Sequence, residues 1–368
     1  MAIVKEESKS FPLWNQDGNK NVNYVSEYLR CLENLSNEVQ SEVLDDTTIT
    51  GWGGSGKNIG GVLAPNGKIY CIPQGGVLGI IDTSNDTLDT TTFTGLGGGW
   101  AGGVLAPNGK IYCIPDSSTV VAIVDPSNDT IDTATITGLA GSFKWVGGVL
   151  APNGKIYCIP YNSTVVGIID PITDTIDVTT ITGLTGSAKW YGGVLAPNGK
   201  IYCIALDSTI IAIIDPSNDT VDVVSITGVT GGDKWGGGVL ATNGKIYCIP
   251  KGSTVVGIID TTTDTLDTAT ITGVTGSNKY FGGAISPTGK IYCIPFSATN
   301  VGIINTNTDT IDTATITGWT GTLKNIGGVL APNGKIYCTP YNSSVVGILL
   351  SEVNVNENLP LSRINNKL

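Results

Sequence analysis

The chain has 368 residues, 50 of them glycine, and a formal charge of −11 from 31 acidic and 20 basic side chains, with no histidine at all. The acidic balance argues against nucleic acid as a partner held through bulk charge, and the missing histidine removes the usual general base near neutral pH and the commonest metal ligand. No apolar run is long enough to span a membrane, and MAIVKEESKSFPLW at the amino end carries charges where a secretory signal needs an apolar core.

These features place the protein in the cytosol or within an assembled particle, without membrane insertion. Residues 1 to 20 are polar apart from Phe11, Leu13 and Trp14, and read as an extended arm. From about residue 21, Val25, Tyr28, Leu32, Leu35, Val39 and Val43 recur at steps of three and four, which lines up one apolar face of an amphipathic α-helix. That helix either docks on the body of its own chain or anchors it to a protein partner or scaffold. On the second reading Phe11, Leu13, Trp14, Val25, Tyr28, Leu32, Leu35 and Val39 form the partner-binding surface.

The rest of the chain is organised around GGVLAPNGKIYCIP, first met at residues 60–73. Its turn glycine returns at 67, 109, 154, 199, 244, 289 and 334, with a period of 45 residues except for one interval of 42. A fixed period of this size marks a repeat architecture. In the unit that runs from Lys144 to Gly183, WVGGVLA is a short apolar strand and Pro152-Asn153-Gly154 is a tight turn. KIYCIP is a second strand, STVVGIID a third that is apolar on both faces, and IDVTTIT a Thr-rich fourth suited to a half-wet edge. Four antiparallel strands per repeat predict an all-β, seven-bladed β-propeller.

The last repeat supplies three strands before its pattern stops near Leu350, and Leu44 to Gly51 (LDDTTITG) matches Leu88 to Gly95 (LDTTTFTG) in register. The amino-terminal strand is therefore expected to complete the last blade. The domains read as 1–43, arm and helix; 44–350, propeller; and 351–368, tail.

Seven of the eight cysteines share one repeat position: Cys71, Cys113, Cys158, Cys203, Cys248, Cys293 and Cys338. Equivalent positions in neighbouring blades lie beyond the ~7 Å that a disulfide spans between Cα atoms. They read as small buried apolar groups. The acidic turns, such as Asp82, Asp86 and Asp89, lack the glycine and distal Glu of a calcium loop and suit self-bonded turns. No metal site and no cofactor is expected.

The segment KIYCIPYNSTVVGIIDPITDTIDVTTI resembles the YVTN family of β-propeller repeats: a Tyr-containing strand, an Asn/Ser turn, a Val/Ile strand ending in Asp, then an Asn/Asp-Thr turn. The resemblance recurs seven times over residues 44–350. Cys-Ile-Pro stands where Val-Thr-Asn is usual, and the GGVLAPNGK hairpin is a further departure. The resemblance implies recognition or scaffolding, as in surface-layer proteins, and no catalytic residue.

Differences between repeats fall in two loop sets, between strands two and three and between blades, and strand alternation puts both on one face. That face should carry Lys57, Lys144, Lys189, Lys234, Lys279 and Lys324 beside Trp100, Trp145, Trp190, Trp235 and Tyr280, with Tyr161 and Tyr341 nearby. Exposed, these side chains would make platforms for an acidic glycan. Packed between blades, they would be structural cation–π pairs. The functional expectation is a non-enzymatic structural or recognition propeller in a larger assembly, such as a virion or tail-type particle. A glycan-binding lectin is the alternative, and a propeller hydrolase or lyase is third.

Overall fold

Runs of β-branched residues cut by Pro-Asn-Gly and Asp-Thr turns give 28 strands among residues 42–350, which the computed structural model describes. They pair as seven four-stranded antiparallel sheets, the blades of a propeller. Blade 1 consists of Asn58–Leu63, Lys68–Pro73, Leu78–Asp82 and Thr87–Phe93, from the axis outward. The inner strands of blades 2 to 7 are Trp100–Leu105, Trp145–Leu150, Trp190–Leu195, Trp235–Leu240, Tyr280–Ile285 and Asn325–Leu330. Each inner strand packs against the next, and that of blade 7 packs on that of blade 1.

The ring closes as expected. Val43–Ile49 is the outer strand of blade 7 and pairs with Val346–Leu350, Val43 opposite Leu350 and Ile49 opposite Val346. Pairing starts at Val43, and Glu42 already bonds to blade 6, so the propeller begins slightly before the expected boundary at residue 44. The arm and helix expected over residues 1–43 lie outside the described residues up to residue 41. So do Phe11, Leu13, Trp14, Val25, Tyr28, Leu32, Leu35 and Val39, and the tail from 351.

The paired glycines of each inner strand explain how the blades approach one another. The first, such as Gly147 at φ 74°, makes a bulge between Trp145 and Gly148. The second admits the preceding blade: a Cβ on Gly148 would come within 2.7 Å of Ile114, and one on Gly103 within 2.6 Å of Ile72. The isoleucine of each Cys-Ile-Pro thus seats on the next blade's glycine. At the closure Thr339 takes that isoleucine's place against Gly61, and the seven cysteines of this repeat position are free and buried.

The face that carries the Pro-Asn-Gly turns is stitched from blade to blade. Asn66 donates its amide to the Tyr70 hydroxyl (3.0 Å) and to the Pro126 carbonyl of the next blade (2.9 Å), and Tyr70 donates to Asp129 at 2.5 Å. The tyrosine-to-aspartate bond recurs as Tyr112 to Asp174, Tyr157 to Asp219, Tyr202 to Asp264, Tyr247 to Asp309, and across the closure as Tyr337 to Asp86. Each of these aspartates holds a left-handed backbone, φ 51–55°. The junction from blade 6 to blade 7 differs, because no turn links the third and fourth strands of blade 7. There Thr288 replaces the asparagine, and Glu42 accepts from Tyr292 (2.8 Å) and Lys290 (3.0 Å).

Candidate functional site at the axial mouth of the variable face

The loops between strands two and three and between blades share the opposite face, where the repeats differ. The lysines and tryptophans expected there do not project from it. Trp100, Trp145, Trp190, Trp235 and Tyr280 are at most 3% exposed. The four indole N–H groups donate to the carbonyls of Val120, Val165, Ile210 and Val255, and the Trp145 ring rests on Gly167. Lys57, Lys144, Lys189, Lys234, Lys279 and Lys324 are buried as well. Their ammonium groups cap carbonyls three residues back, at Gly54, Gly141, Gly186, Gly231, Gly276 and Gly321. Lys144 and Lys189 also lie 5.9 and 5.7 Å from the ring centres of Trp145 and Trp190. Burial lowers the lysine pKa values, that of Lys324 to about 8. The expected exposed Lys/Trp platform is therefore corrected: these side chains are spent on joining strands and loops.

Two tryptophans that the sequence reading passed over complete this pattern. Blades 1 and 7 begin with the fully buried Asn58 and Asn325 instead of an aromatic residue. There the indoles of Trp52 and Trp319, six residues earlier, cover Gly79 and Gly347, the positions equivalent to Gly167. In blades 3 to 6, where the inner strand brings its own ring, the earlier position is Leu139, Leu184, Val229 or Val274. This exchange was visible as a reciprocal substitution between repeats.

The residue after each of these positions points to the axis. In blade order these are Ile59, Ala101, Val146, Tyr191, Gly236, Phe281 and Ile326. All but the glycine belong to one buried apolar cluster, and side chains from six blades can meet only at the centre of the ring. Tyr191 and Phe281 touch edge to face with centroids 4.4 Å apart. Phe281 leans over Gly236, where a Cβ would lie 2.9 Å from its ring. The axis is thus plugged at this face.

Above the plug sits a collar, one residue from the end of each second strand: Gln74, Asp116, Tyr161, Leu206, Lys251, Phe296 and Tyr341. Leu206 and Phe296 are buried in the plug, while Tyr161 and Tyr341 are half-buried against it. Phe296 stacks on Phe281 at 5.1 Å and on Tyr341 at 6.1 Å, and Tyr161 meets Tyr191 at 6.3 Å. Lys251 pairs with Asp233 and holds its ammonium 5.4 Å from the Phe281 ring centre. Of the expected ligand-binding residues, Tyr161 and Tyr341 are therefore the two brought together at the mouth. The collar was legible as a set of variable loop residues, and the plug beneath it was not. An open groove also runs between blades 4 and 5, lined by Thr227, Gly228, Thr254 and Asp264.

No family model matches the sequence, and no curated protein matches it. Solved structures share the fold. A catalytically inactive histidine-to-alanine variant of virginiamycin B lyase from Staphylococcus aureus, with quinupristin, is 13% identical with a TM-score of 0.67, covering 83% of this chain and 98% of that one. Hydrazine synthase of Kuenenia stuttgartiensis is 15% identical (TM-score 0.61, 83% and 97% covered). An auxiliary nutrient binding protein of Bacteroides ovatus is 14% identical (TM-score 0.54, 81% and 70% covered).

Proposed function

We propose that this chain is a non-enzymatic recognition and structural propeller of the YVTN type. It works as a component of a larger assembly, such as a virion or tail-type particle. Residues 1–43 attach it, and the variable face with its collar meets the partner. The observation that carries this reading is the division of labour between the faces. Tyrosine-to-aspartate bonds join six of the seven blade junctions on the face where the repeats agree, and sequence differences collect on the other face, where backbone groups and buried lysines join the blades. Loop side chains that these backbone joins leave unused are the ones that can be shaped for a partner.

Two further points support a binding role over catalysis. Side chains fill the axis at the variable face. The lyase variant of the same fold is inactive through loss of one histidine, and this sequence contains none. The glycan reading rested mainly on the Lys/Trp pairs, and their burial withdraws that support.

The test is to express the tagged full chain, and a form lacking residues 1–41, in the native cells and to fractionate gentle extracts by size. The full chain should run in a large complex and the truncated form as a free monomer. A full chain that runs alone would overturn the proposal. So would hydrolase or lyase turnover that a single collar substitution abolishes.

A further inference from the structure

The collar is uneven in charge, and one oxygen of its carboxylate lacks a donor. Asp116 is 2% exposed, and its Oδ2 accepts a 3.2 Å bond from Ser117, while its Oδ1 has no hydrogen-bond donor. A buried carboxylate oxygen without a donor is costly, and native structures rarely leave one. The nearby cation does not meet the need. Lys144 donates all three ammonium hydrogens to backbone carbonyls: Asp116 (3.0 Å), Ser118 (2.8 Å) and Gly141 (2.8 Å). Lys251, the only other charged member of the collar, is paired with Asp233.

Aromatic residues neighbour Asp116 in the collar: the Lys144 N–H donates to the Asp116 carbonyl (2.9 Å), the Lys144 carbonyl accepts from the Tyr161 N–H (2.9 Å), and the Tyr161 ring meets that of Tyr191 at 6.3 Å. Burial raises the Tyr161 hydroxyl pKa, and the charges of Asp207 and Asp116 add to it. Burial raises that of Tyr191 too, with Asp116 the next contributor. A third ring comes from the loop before blade 3. Phe143 is 51% exposed and sits at φ 52°, a backbone conformation that bulky side chains seldom adopt. Its N–H faces the Ser117 hydroxyl at 3.4 Å, and its carbonyl accepts from Asn162 at 2.9 Å, so it sits between the neighbours of Asp116 and of Tyr161. The residues at its position in other junctions, Ala188 and Leu323, pack on the axial plug. The left-handed backbone recurs at this position in Ala188, Asp233, Asn278 and Leu323, so what sets Phe143 apart is its large, half-exposed ring.

We propose that the blade 2–3 side of the axial mouth binds a primary ammonium group, with Asp116 Oδ1 as its acceptor and the rings of Tyr161, Tyr191 and Phe143 as its walls. This inference rests on the reading of the variable face as the partner surface and names the chemistry that surface takes. The molecule already contains a version of the contact, since the Lys251 ammonium lies over Phe281 in the same cluster. Cation–π attraction and a charge-assisted hydrogen bond act together on such a group. The ammonium comes either from a lysine side chain of a protein partner or from a free alkylamine.

Binding is measured by NMR titration of the full chain with two probes, Nα-acetyl-lysine amide and butylammonium, with butanol as the uncharged control. The full chain should bind the ammonium probes and ignore butanol. Asp116→Asn should weaken binding about tenfold or more, and Phe143→Ala about threefold. Preference for the lysine probe identifies a protein source, and equal binding shows that a free amine suffices; both outcomes support ammonium recognition. No binding of either probe overturns the proposal, as does unchanged affinity in Asp116→Asn. If Asp116→Asn fails to fold, Phe143→Ala decides alone, because that side chain is exposed, and unchanged affinity in it overturns the proposal. A chain that ignores both amines yet still runs in the large complex defeats the ammonium chemistry and leaves the partner-surface reading standing.

Discussion

Tyr157 shows how much one side chain can hold together. Its ring is buried in its own blade, its hydroxyl accepts from Asn153 at 2.8 Å, and it donates to Asp219 in the next blade. Tyr157→Phe keeps the ring and leaves two partly buried groups each one partner short, Asn153 retaining the Pro216 carbonyl and Asp219 its 3.9 Å ion pair with Lys155. It should cost about 1–2 kcal/mol in urea unfolding. Burial, and then the bond to an aspartate, raises the pKa of six such tyrosines above the ordinary 10.0: Tyr70, Tyr112, Tyr157, Tyr202, Tyr247 and Tyr337. Above about pH 10 the unfolded chain releases these protons while the folded chain keeps them, so stability falls as pH rises. Tyrosinate absorbance should therefore rise for these six together with unfolding. A gradual titration of all thirteen tyrosines in the folded protein would contradict this. The turn around Asn153 was readable in the sequence, but its link to blade 4 was not. The partners stand 62 residues apart, and a turn already accounts for each of them locally.

Among the elements, the exchange of tryptophan between loop and inner strand makes a sharper test. Trp319→Leu should open a cavity over Gly347 and cost about 3 kcal/mol. Asn325→Trp alone should overpack the same space. The double variant rebuilds the combination of blade 4, Leu184 with Trp190, and should be far closer to the parent than the sum of its parts. Additive losses in the four-cornered cycle would show that the two sites do not share one space. The strands themselves were legible, because Pro-Asn-Gly and β-branched runs act locally. The burial of the Lys/Trp pairs was weighed as an alternative, since a contact repeated in every blade suits packing. Composition alone could not decide it, because an indole suits a sugar platform and a blade interior equally well.

At the scale of the whole molecule, closure depends on a strand drawn from the other end of the described chain. Removing residues 1–49 strips blade 7 of its outer strand, whereas removing 1–41 leaves that strand and Glu42 in place. The first truncation should lower the melting temperature far more than the second. Equal melting temperatures would mean that Val43–Ile49 does not lock the ring. This closure could be read from LDDTTITG because repeats make a missing piece conspicuous. The axial plug could not, since each of its members looks like an ordinary strand residue within its own repeat.

That plug bears on a question which near-identical repeats leave open, namely why there are seven. Units that stack on copies of themselves carry little information about when to stop. Side chains from six blades share one central space, and the axial position is one where the repeats disagree. Ile59, Ala101, Val146, Tyr191, Gly236, Phe281 and Ile326 fit one diameter. A duplication or loss of one repeat would change the set of side chains that meet there and would be felt at the axis.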